Sequence, residues 1–195
     1  MSRARELEAR LESTEQQLRL LQRISRTMVR NASLGEALQN IVTLVVEFMA
    51  CDSCLLYLLE KDELVLCASN NPHAEILGNV RLKLSEGLTG WVARERRLLS
   101  ISRESYLDPR FKQFTDLRED TYEAFLSVPI VNRVGVAGVI NVQHRDPHFH
   151  SGGEMEVLTT VGEQAGCLLE LAAFDRKAGS RFSLLDLVMA PAVRK

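Results

Sequence analysis

The chain opens with apolar residues at alternating intervals of three and four, a spacing that places them on one face of a helix. This seam consists of Ala4, Leu7, Leu11, Thr14, Leu18, Leu21, Ser25 and Met28, and six of the eight positions are apolar. Charged residues surround the seam, which is the pattern of a coiled coil. Residues 1–30 are therefore predicted to form an amphipathic helix that pairs two copies of the chain, although Thr14 and Ser25 weaken the seam.

Two further helices are predicted from capping boxes, in which a serine is followed three residues later by a glutamate. Ser33 and Glu36 have this spacing, and so do Ser151 and Glu154. An apolar stripe follows each box, and the second helix should extend to about Asp175. Both helices are suited to lie on a sheet.

Between these helices the apolar period shortens to that of strands. The strand-like runs are Ser53–Leu59, Leu64–Ser69, Val80–Leu84, Leu98–Ile101, Ala124–Val131 and Val136–Gln143. Residues 87–97 are predicted to form a turn and a helix, and residues 102–121 an irregular segment. Because the strands fall mostly into antiparallel pairs, the predicted class is α+β. A central antiparallel β-sheet carries the N- and C-terminal helices on one face and a lid segment on the other.

The same pattern divides the chain into three parts. Residues 1–30 form the N-terminal helix, residues 31–175 the α+β domain, and residues 176–195 a tail with a short apolar segment at 182–189. A chain of 195 residues is long enough for one domain with extensions.

Composition narrows the function classes. Hydrophobic residues make up 46% and charged residues 26%, and the net charge is -2, so no basic excess indicates nucleic-acid binding. The charged N-terminus does not resemble a signal peptide, and no apolar run reaches the ~18 residues of a membrane span. We expect a cytoplasmic protein that binds neither nucleic acid nor membrane.

Cysteine and histidine patterns give no strong chemical signal. Cys51 and Cys54 form a CxxC motif, but on a strand the two side chains should point to opposite faces, which favours a structural role. Cys67 and Cys167 fit core positions. A second group, His144, His148 and His150, is interpreted as an exposed loop rather than a metal site. No catalytic residue is predicted.

Polar side chains inside otherwise apolar strands are candidates for contact with a ligand. They are Tyr57, Ser127, Asn141 and Gln143. A buried polar group needs a hydrogen-bond partner, and a small molecule is one such partner, with backbone or water as the alternative.

With these elements in order, the chain resembles the GAF domain family, and in particular bacterial signalling GAF domains such as those at the N-termini of nitrogen-type phosphotransferase enzyme I. The resemblance is carried by CDSCLLYLLEKDELVLCAS (51–69), EGLTGWVARERRLL (86–99), DPRF (108–111), FLSVPIV (125–131), GVAGVINVQH (135–144) and EMEVLTTVGEQAG (154–166). It implies a ligand pocket on the sheet face away from the terminal helices. Further residues that it places around the pocket are Arg81, Thr89, Trp91, Tyr106, Phe111 and Tyr122.

The function implied is a ligand-sensing, non-enzymatic regulatory domain that signals through paired end helices to an output protein that the sequence does not identify. Arg81 would suit a small metabolite with a carboxylate, such as an amino acid or a 2-oxoacid. No cofactor is identified. The alternative is a dimerisation or scaffold module without a ligand. A third possibility, free methionine sulfoxide reduction, needs a thiolate in the lid, and residues 69–166 contain no cysteine.

Overall fold

The computed structural model describes residues 3–29, 33–71, 76–112, 121–174 and 183–190. Its helices are α1 (Arg3–Met28), α2 (Leu34–Met49), α3 (Gly87–Glu95), α4 (Gly152–Phe174) and α5 (Leu184–Met189). Its strands are β1 (Ser53–Glu60), β2 (Glu63–Ser69), β3 (Arg81–Lys83), β4 (Leu99–Ile101), β5 (Ala124–Val131) and β6 (Val136–His144). Part of the predicted lid and most of the predicted C-terminal tail lie outside the described residues.

The predicted helix starts are confirmed at atomic detail. Ser33 Oγ accepts from the backbone N–H of Glu36 at 3.2 Å, and the Glu36 carboxylate accepts from Ser33 N–H at 2.8 Å. Ser151 and Glu154 make the same reciprocal pair at 3.2 and 2.7 Å. Each box satisfies two backbone N–H groups that the helix itself leaves without partners, which is why the helices begin where they do.

The six strands form one sheet in the order β3-β2-β1-β6-β5-β4, and every neighbouring pair is antiparallel. The central position of β1, β6 and β5 agrees with their nearly continuous burial. The predicted α+β class with a central antiparallel sheet is confirmed.

Alternate residues along the strands supply two separate apolar layers. On the helix face, Leu56, Leu126, Val128, Ile140 and Val142 pack with residues of α1, α2 and α4. On the open face, which we define as the face opposite these helices, Tyr57, Leu64, Leu66, Leu82 and Val139 pack with residues of α3 and its flanking segments. The open face therefore has a thinner cover of one short helix and loops.

Helix α4 lies unusually close to the sheet because glycines face β5. A Cβ atom at Gly166 would meet the carbonyl oxygen of Val131, and one at Gly162 would lie 3.0 Å from that of Pro129. The helix backbone thus rests on the strand backbone without an intervening side chain. By length and apolar composition α4 could cross a membrane. Its Leu158 and Val161 are fully buried in the helix-face core, as expected for a core helix.

Helix α1 uses a stripe that differs from the predicted seam to join its own domain. Leu20 and Ile24 are buried in the helix-face core. In contrast, the seam residues Leu7, Leu11 and Leu18 are 58%, 61% and 54% exposed. The predicted helix is confirmed, and its pairing as a coiled coil stays a prediction.

Candidate functional site

A hydrogen-bonded row of polar side chains crosses the open face of the sheet. Ser127 on β5 and Asn141 on β6 are cross-strand neighbours, and Ser127 Oγ donates to Asn141 Oδ1 at 2.6 Å. Asn141 Nδ2 donates in turn to Thr89 Oγ1 on α3 at 2.8 Å. The three side chains are 0%, 1% and 6% exposed for Ser127, Asn141 and Thr89. Three residues predicted separately from the sequence are therefore brought together, and they form the polar centre of the site.

Tyr57 and Gln143 share the open face with this row, as their positions in the strands require. Tyr57 pairs with Val139 of β6 and is 1% exposed, so its ring fills part of the space that the sequence assigned to a ligand. Burial raises the pKa of the Tyr57 hydroxyl, which stays protonated at neutral pH. Gln143 lies two residues beyond Asn141 on the same face and is half-buried.

Trp91 on α3 is covered by Arg110, which was not among the predicted site residues. The guanidinium carbon of Arg110 lies 4.6 Å from the Trp91 ring centroid, a cation–π contact. Asp108 holds Arg110 through two hydrogen bonds of 2.8 and 2.7 Å, which also keep the pKa of the Asp108 carboxyl below its ordinary value. Both charges belong to the DPRF motif. Phe111, the last residue of that motif, is 37% exposed and so lies at the edge of the group.

Tyr106 and Tyr122 belong to the segment that leads into β5. The Tyr106 hydroxyl donates to Glu123 at 3.1 Å, and this bond raises its pKa. The Tyr122 carbonyl accepts from Ser105 Oγ at 2.7 Å, and the second Glu123 oxygen accepts from Glu104 N–H at 2.9 Å. These bonds tie the start of the predicted lid to the strand that carries Ser127.

The prediction for Arg81 is corrected by the register of β3. Arg81 is the partner of Val65, whose side chain lies in the helix-face core, so Arg81 projects on that face and not on the open one. It forms ion pairs with Glu63 at 3.3 Å and Glu60 at 3.7 Å. Arg81 is therefore a surface ion-pair residue, whereas Arg110 contacts Trp91 of α3.

The cysteines also differ in part from their predicted places. Cys51 and Cys54 do not diverge, since both are buried in the helix-face core; Cys51 precedes the strand, and strand alternation does not apply to it. Burial raises the pKa of Cys51 and of Cys67 to about 12 and that of Cys54 well above its ordinary value. These three thiols are protonated at neutral pH and are poor nucleophiles. Cys167, predicted as a core residue, is exposed.

The three histidines at and just after the end of β6 differ most from their predicted surroundings. His144 and His150 are buried at 7% and 1% exposure rather than lying in an exposed loop. The ring centroids of His144 and His148 are 4.0 Å apart in a stacked arrangement, and His150 lies 4.9 Å from His148. The three rings thus form a compact group that could hold a metal ion.

A cavity of about 490 Å³ lies away from both groups, in the groove between α1 and α2. Arg23, Arg26 and Asn40 contribute to its lining, and Arg23 forms an ion pair with Glu47 at 2.7 Å. None of the ten candidate residues lines it. The cavity therefore gives no support to the predicted pocket on the sheet.

Comparison with known proteins agrees with this architecture. The GAF domain family model matches residues 33–169. The GAF domain of an Acinetobacter phosphoenolpyruvate-protein phosphotransferase has a TM-score of 0.75 and 30% identity, covering 83% of this chain and 96% of that one. The corresponding domain from Coxiella burnetii has a TM-score of 0.77 and 25% identity, covering 82% and 96%.

The chain spans only a small part of the length of a curated relative that it matches. The Escherichia coli K12 protein described as phosphoenolpyruvate-dependent phosphotransferase system is 29% identical over 138 residues. The match covers 70% of this chain and only 18% of the relative. The family match, the sheet order and the terminal helices lead to one conclusion: the chain belongs to the GAF domain family.

Proposed function

We propose that this GAF domain is a sensory module that binds a small metabolite on the open face of its sheet and relays the change through its end helices. The observation that carries the proposal is the buried row of Thr89, Asn141 and Ser127. Burying polar groups in an apolar sheet destabilises a protein unless they are hydrogen-bonded. Here they lie on the open face, which is covered only by the short helix α3 and its flanking segments. A ligand with hydrogen-bonding groups could exchange partners with this row.

The proposed ligand class remains a small metabolite with a carboxylate, such as an amino acid or a 2-oxoacid. With Arg81 on the helix face, Arg110 takes over the role of counter-ion in this proposal. Its guanidinium already makes two hydrogen bonds to Asp108, and a ligand carboxylate could compete for the same planar fork. Trp91 beneath it offers an apolar surface for the rest of the molecule.

Thermal-shift screening of amino acids, 2-oxoacids and cyclic nucleotides tests this proposal. A ligand present at about 100 times its Kd should stabilise the domain by about 2.7 kcal/mol. The stabilisation should be lost in Arg110→Ala and retained in Arg81→Ala, a matched control because Arg81 lies on the other face. If no compound in the panel stabilises the protein, or if both variants respond alike, the open face is not the sensor site.

The second candidate function is a dimerisation or scaffold module without a ligand, and one observation favours it. The three polar side chains satisfy one another, and Tyr57 is fully buried beside them, so the open face needs no guest molecule. The screen above separates the two functions, since a scaffold would show no specific ligand response.

Both candidates include a homodimer formed through the end helices. All described residues of α1 from Arg3 to Gln16 are exposed. An isolated helix of this length is only marginally stable in water, so an apolar seam along it implies a partner. The heptad spacing of Leu7, Leu11 and Leu18 fits a second copy of the same helix.

Light scattering on Leu11→Lys/Leu18→Lys tests the dimer. We expect a folded protein of half the molecular mass, because neither side chain contributes to the domain's own core. Deleting residues 1–16 should have the same effect, and the deletion stops there because Leu20 belongs to that core. A variant that remains dimeric would show that the copies associate elsewhere.

The wider context is proposed from the relatives. The similar GAF domains come from phosphoenolpyruvate-protein phosphotransferases, so we place this domain in cytoplasmic signal transduction with a regulatory and non-enzymatic role. The three buried cysteines with raised pKa values do not favour the alternative of free methionine sulfoxide reduction. The output protein is left open.

A further inference from the structure

Three histidines within seven consecutive residues meet beside the end of the sheet. His144 is the last residue of β6, while His148 and His150 lie in the connection to α4. One potential ligand nitrogen from each residue lies within 4.8 Å of the other two. The group shares no residue with the open-face row.

Two of the ring nitrogens have no partner although they are buried. The Nε2 atoms of His144 and His150 are shielded from solvent and make no hydrogen bond to any residue that the structure describes. A buried polar nitrogen without a partner is destabilising, so native proteins contain few such atoms. Two such atoms in one histidine group point to a binding function for the group.

One nitrogen of His148 and one of His150 lie within hydrogen-bond distance of neighbouring side chains. His148 Nε2 lies 2.9 Å from Glu154 Oε1, and because a carboxylate only accepts, this nitrogen carries the proton. His150 Nδ1 lies 3.2 Å from Ser100 Oγ on β4. Such contacts fix the tautomer and ring orientation of histidines that bind metal ions. The carboxylate contact leaves the lone pair of His148 on Nδ1, and His150 has its lone pair on Nε2 in the tautomer whose Nδ1–H donates to Ser100.

Burial also acts on the pKa of two of the rings. Burial, followed by the nearby His148, lowers the pKa of His144. Burial together with His148 and His144 lowers the pKa of His150 to about 4. Asp52 and Glu154 act in the opposite direction on His144 without cancelling the effect of burial. Neutral imidazole is a good ligand for transition metals.

We propose that His144, His148 and His150 bind one divalent transition-metal ion, with zinc as the ion to test first. Three imidazoles with an open fourth position suit zinc, and copper or nickel would compete for the same donor set. Zinc–nitrogen bonds are about 2.0–2.1 Å long, so the donor atoms must approach one another by rotation of the side chains. His148 is half-buried and forms the open side of the group, where a water molecule could complete the coordination.

Metal binding here would join three elements of the fold, of which β4 is distant in sequence from the other two. Through its ligands and their hydrogen-bond partners, the ion would link the end of β6, strand β4 at Ser100 and the first turn of α4 at Glu154. Because α4 is one of the end helices, the site would fix that helix relative to the sheet.

Equilibrium titration of untagged, chelator-treated full chain with Zn²⁺, read by competition with a chromophoric chelator, tests the site. We expect one ion per chain and a large loss of affinity in His148→Ala. Glu154→Gln should lower affinity about 10–100-fold, since it removes the charged partner of His148 while a glutamine can still serve the capping box. His73→Ala, the remaining histidine of the chain, should bind as the wild type does.

Substitution with Co²⁺ provides a readout that does not depend on stability. A cobalt ion in a four-coordinate histidine site gives intense visible absorption, which His148→Ala should abolish while its circular dichroism remains that of a folded domain. Unchanged zinc affinity in His148→Ala would overturn the proposal, and so would a stoichiometry well below one in the wild type. In either case the three rings would be a packing cluster only.

Discussion

The buried polar row on the open face allows a quantitative test of the structure by replacing Asn141 with leucine. Leucine has nearly the same shape as asparagine, so the substitution leaves little cavity and isolates the loss of hydrogen bonding. Asn141 accepts from Ser127 at 2.6 Å and donates to Thr89 at 2.8 Å, and all three side chains are buried. The variant leaves two buried hydroxyls without this partner, at about 1–3 kcal/mol each. Allowing for the added apolar burial, we expect a loss of about 2–4 kcal/mol.

Urea unfolding followed by circular dichroism measures this loss, with thermal melting as a second readout. For a domain of this size 1 kcal/mol corresponds to about 2–4 °C, so the melting temperature should fall by roughly 5–15 °C. Gln143→Leu is the matched control, because Gln143 lies on the same face of the same strand but is half-buried. It should change stability by less than about 0.5 kcal/mol.

A triple variant tests whether unpaired hydroxyls cause the loss of stability in Asn141→Leu. Replacing the whole row by apolar residues of similar shape, as Asn141→Leu/Ser127→Ala/Thr89→Val, should restore most of the lost stability, since a fully apolar replacement leaves no orphan group. If the triple variant is no more stable than Asn141→Leu, or if Asn141→Leu is as stable as the wild type, the three side chains do not form the bonded row described above.

Three further predictions concern other parts of the molecule. Gly166→Ala should destabilise the protein by about 1–3 kcal/mol because the added Cβ meets the Val131 carbonyl. Gly152→Ala in the same helix should not, because open space surrounds that position. Equal urea-unfolding curves for the two variants would contradict the close contact. Arg81→Ala should cost less than about 1 kcal/mol by urea unfolding, since its ion pairs are solvent-exposed, and a larger loss would contradict its surface placement. With chelator present, the free energy of unfolding should fall by up to about 3 kcal/mol as the pH drops from 6.5 to 4. The reason is that burial lowers the pKa of His150 to about 4 in the folded protein, so the unfolded chain takes up the proton first. His150→Phe should flatten this pH dependence, and an unchanged pH dependence would contradict the buried neutral ring.

Most of the secondary structure could be predicted from the sequence because its signals are local. The capping boxes at Ser33 and Ser151 fixed two helix starts, and strand β5 was predicted with its observed bounds. Strand alternation also selected Ser127 and Asn141, since a polar residue in a buried strand is visible from its apolar neighbours. Capping boxes and strand alternation depend on a few adjacent residues, so the packing of distant parts of the chain does not alter them.

The errors arose where a side chain's surroundings depend on distant parts of the chain. The face occupied by Arg81 is set by its pairing with Val65, and a three-residue strand carries no alternation from which that register can be read. The histidines follow a strand in a polar stretch with a proline, which is typical of an exposed loop. Their burial depends on contacts with Ser100 and Glu154, which come from β4 and α4.

In the proposed function, the contact between α4 and β5 would carry a change on the open face to the end helices. Strand β5 carries Ser127 on the open face and Val128 in the core beneath the helices. Because Gly162 and Gly166 let the two backbones touch, no flexible side chain can absorb a shift of the strand, and α4 must move with it. Hydrogen exchange of α4 should therefore respond to any ligand that stabilises the open face. A ligand response confined to α3 and β5, with exchange in α4 unchanged, would show that the two layers are not coupled in this way.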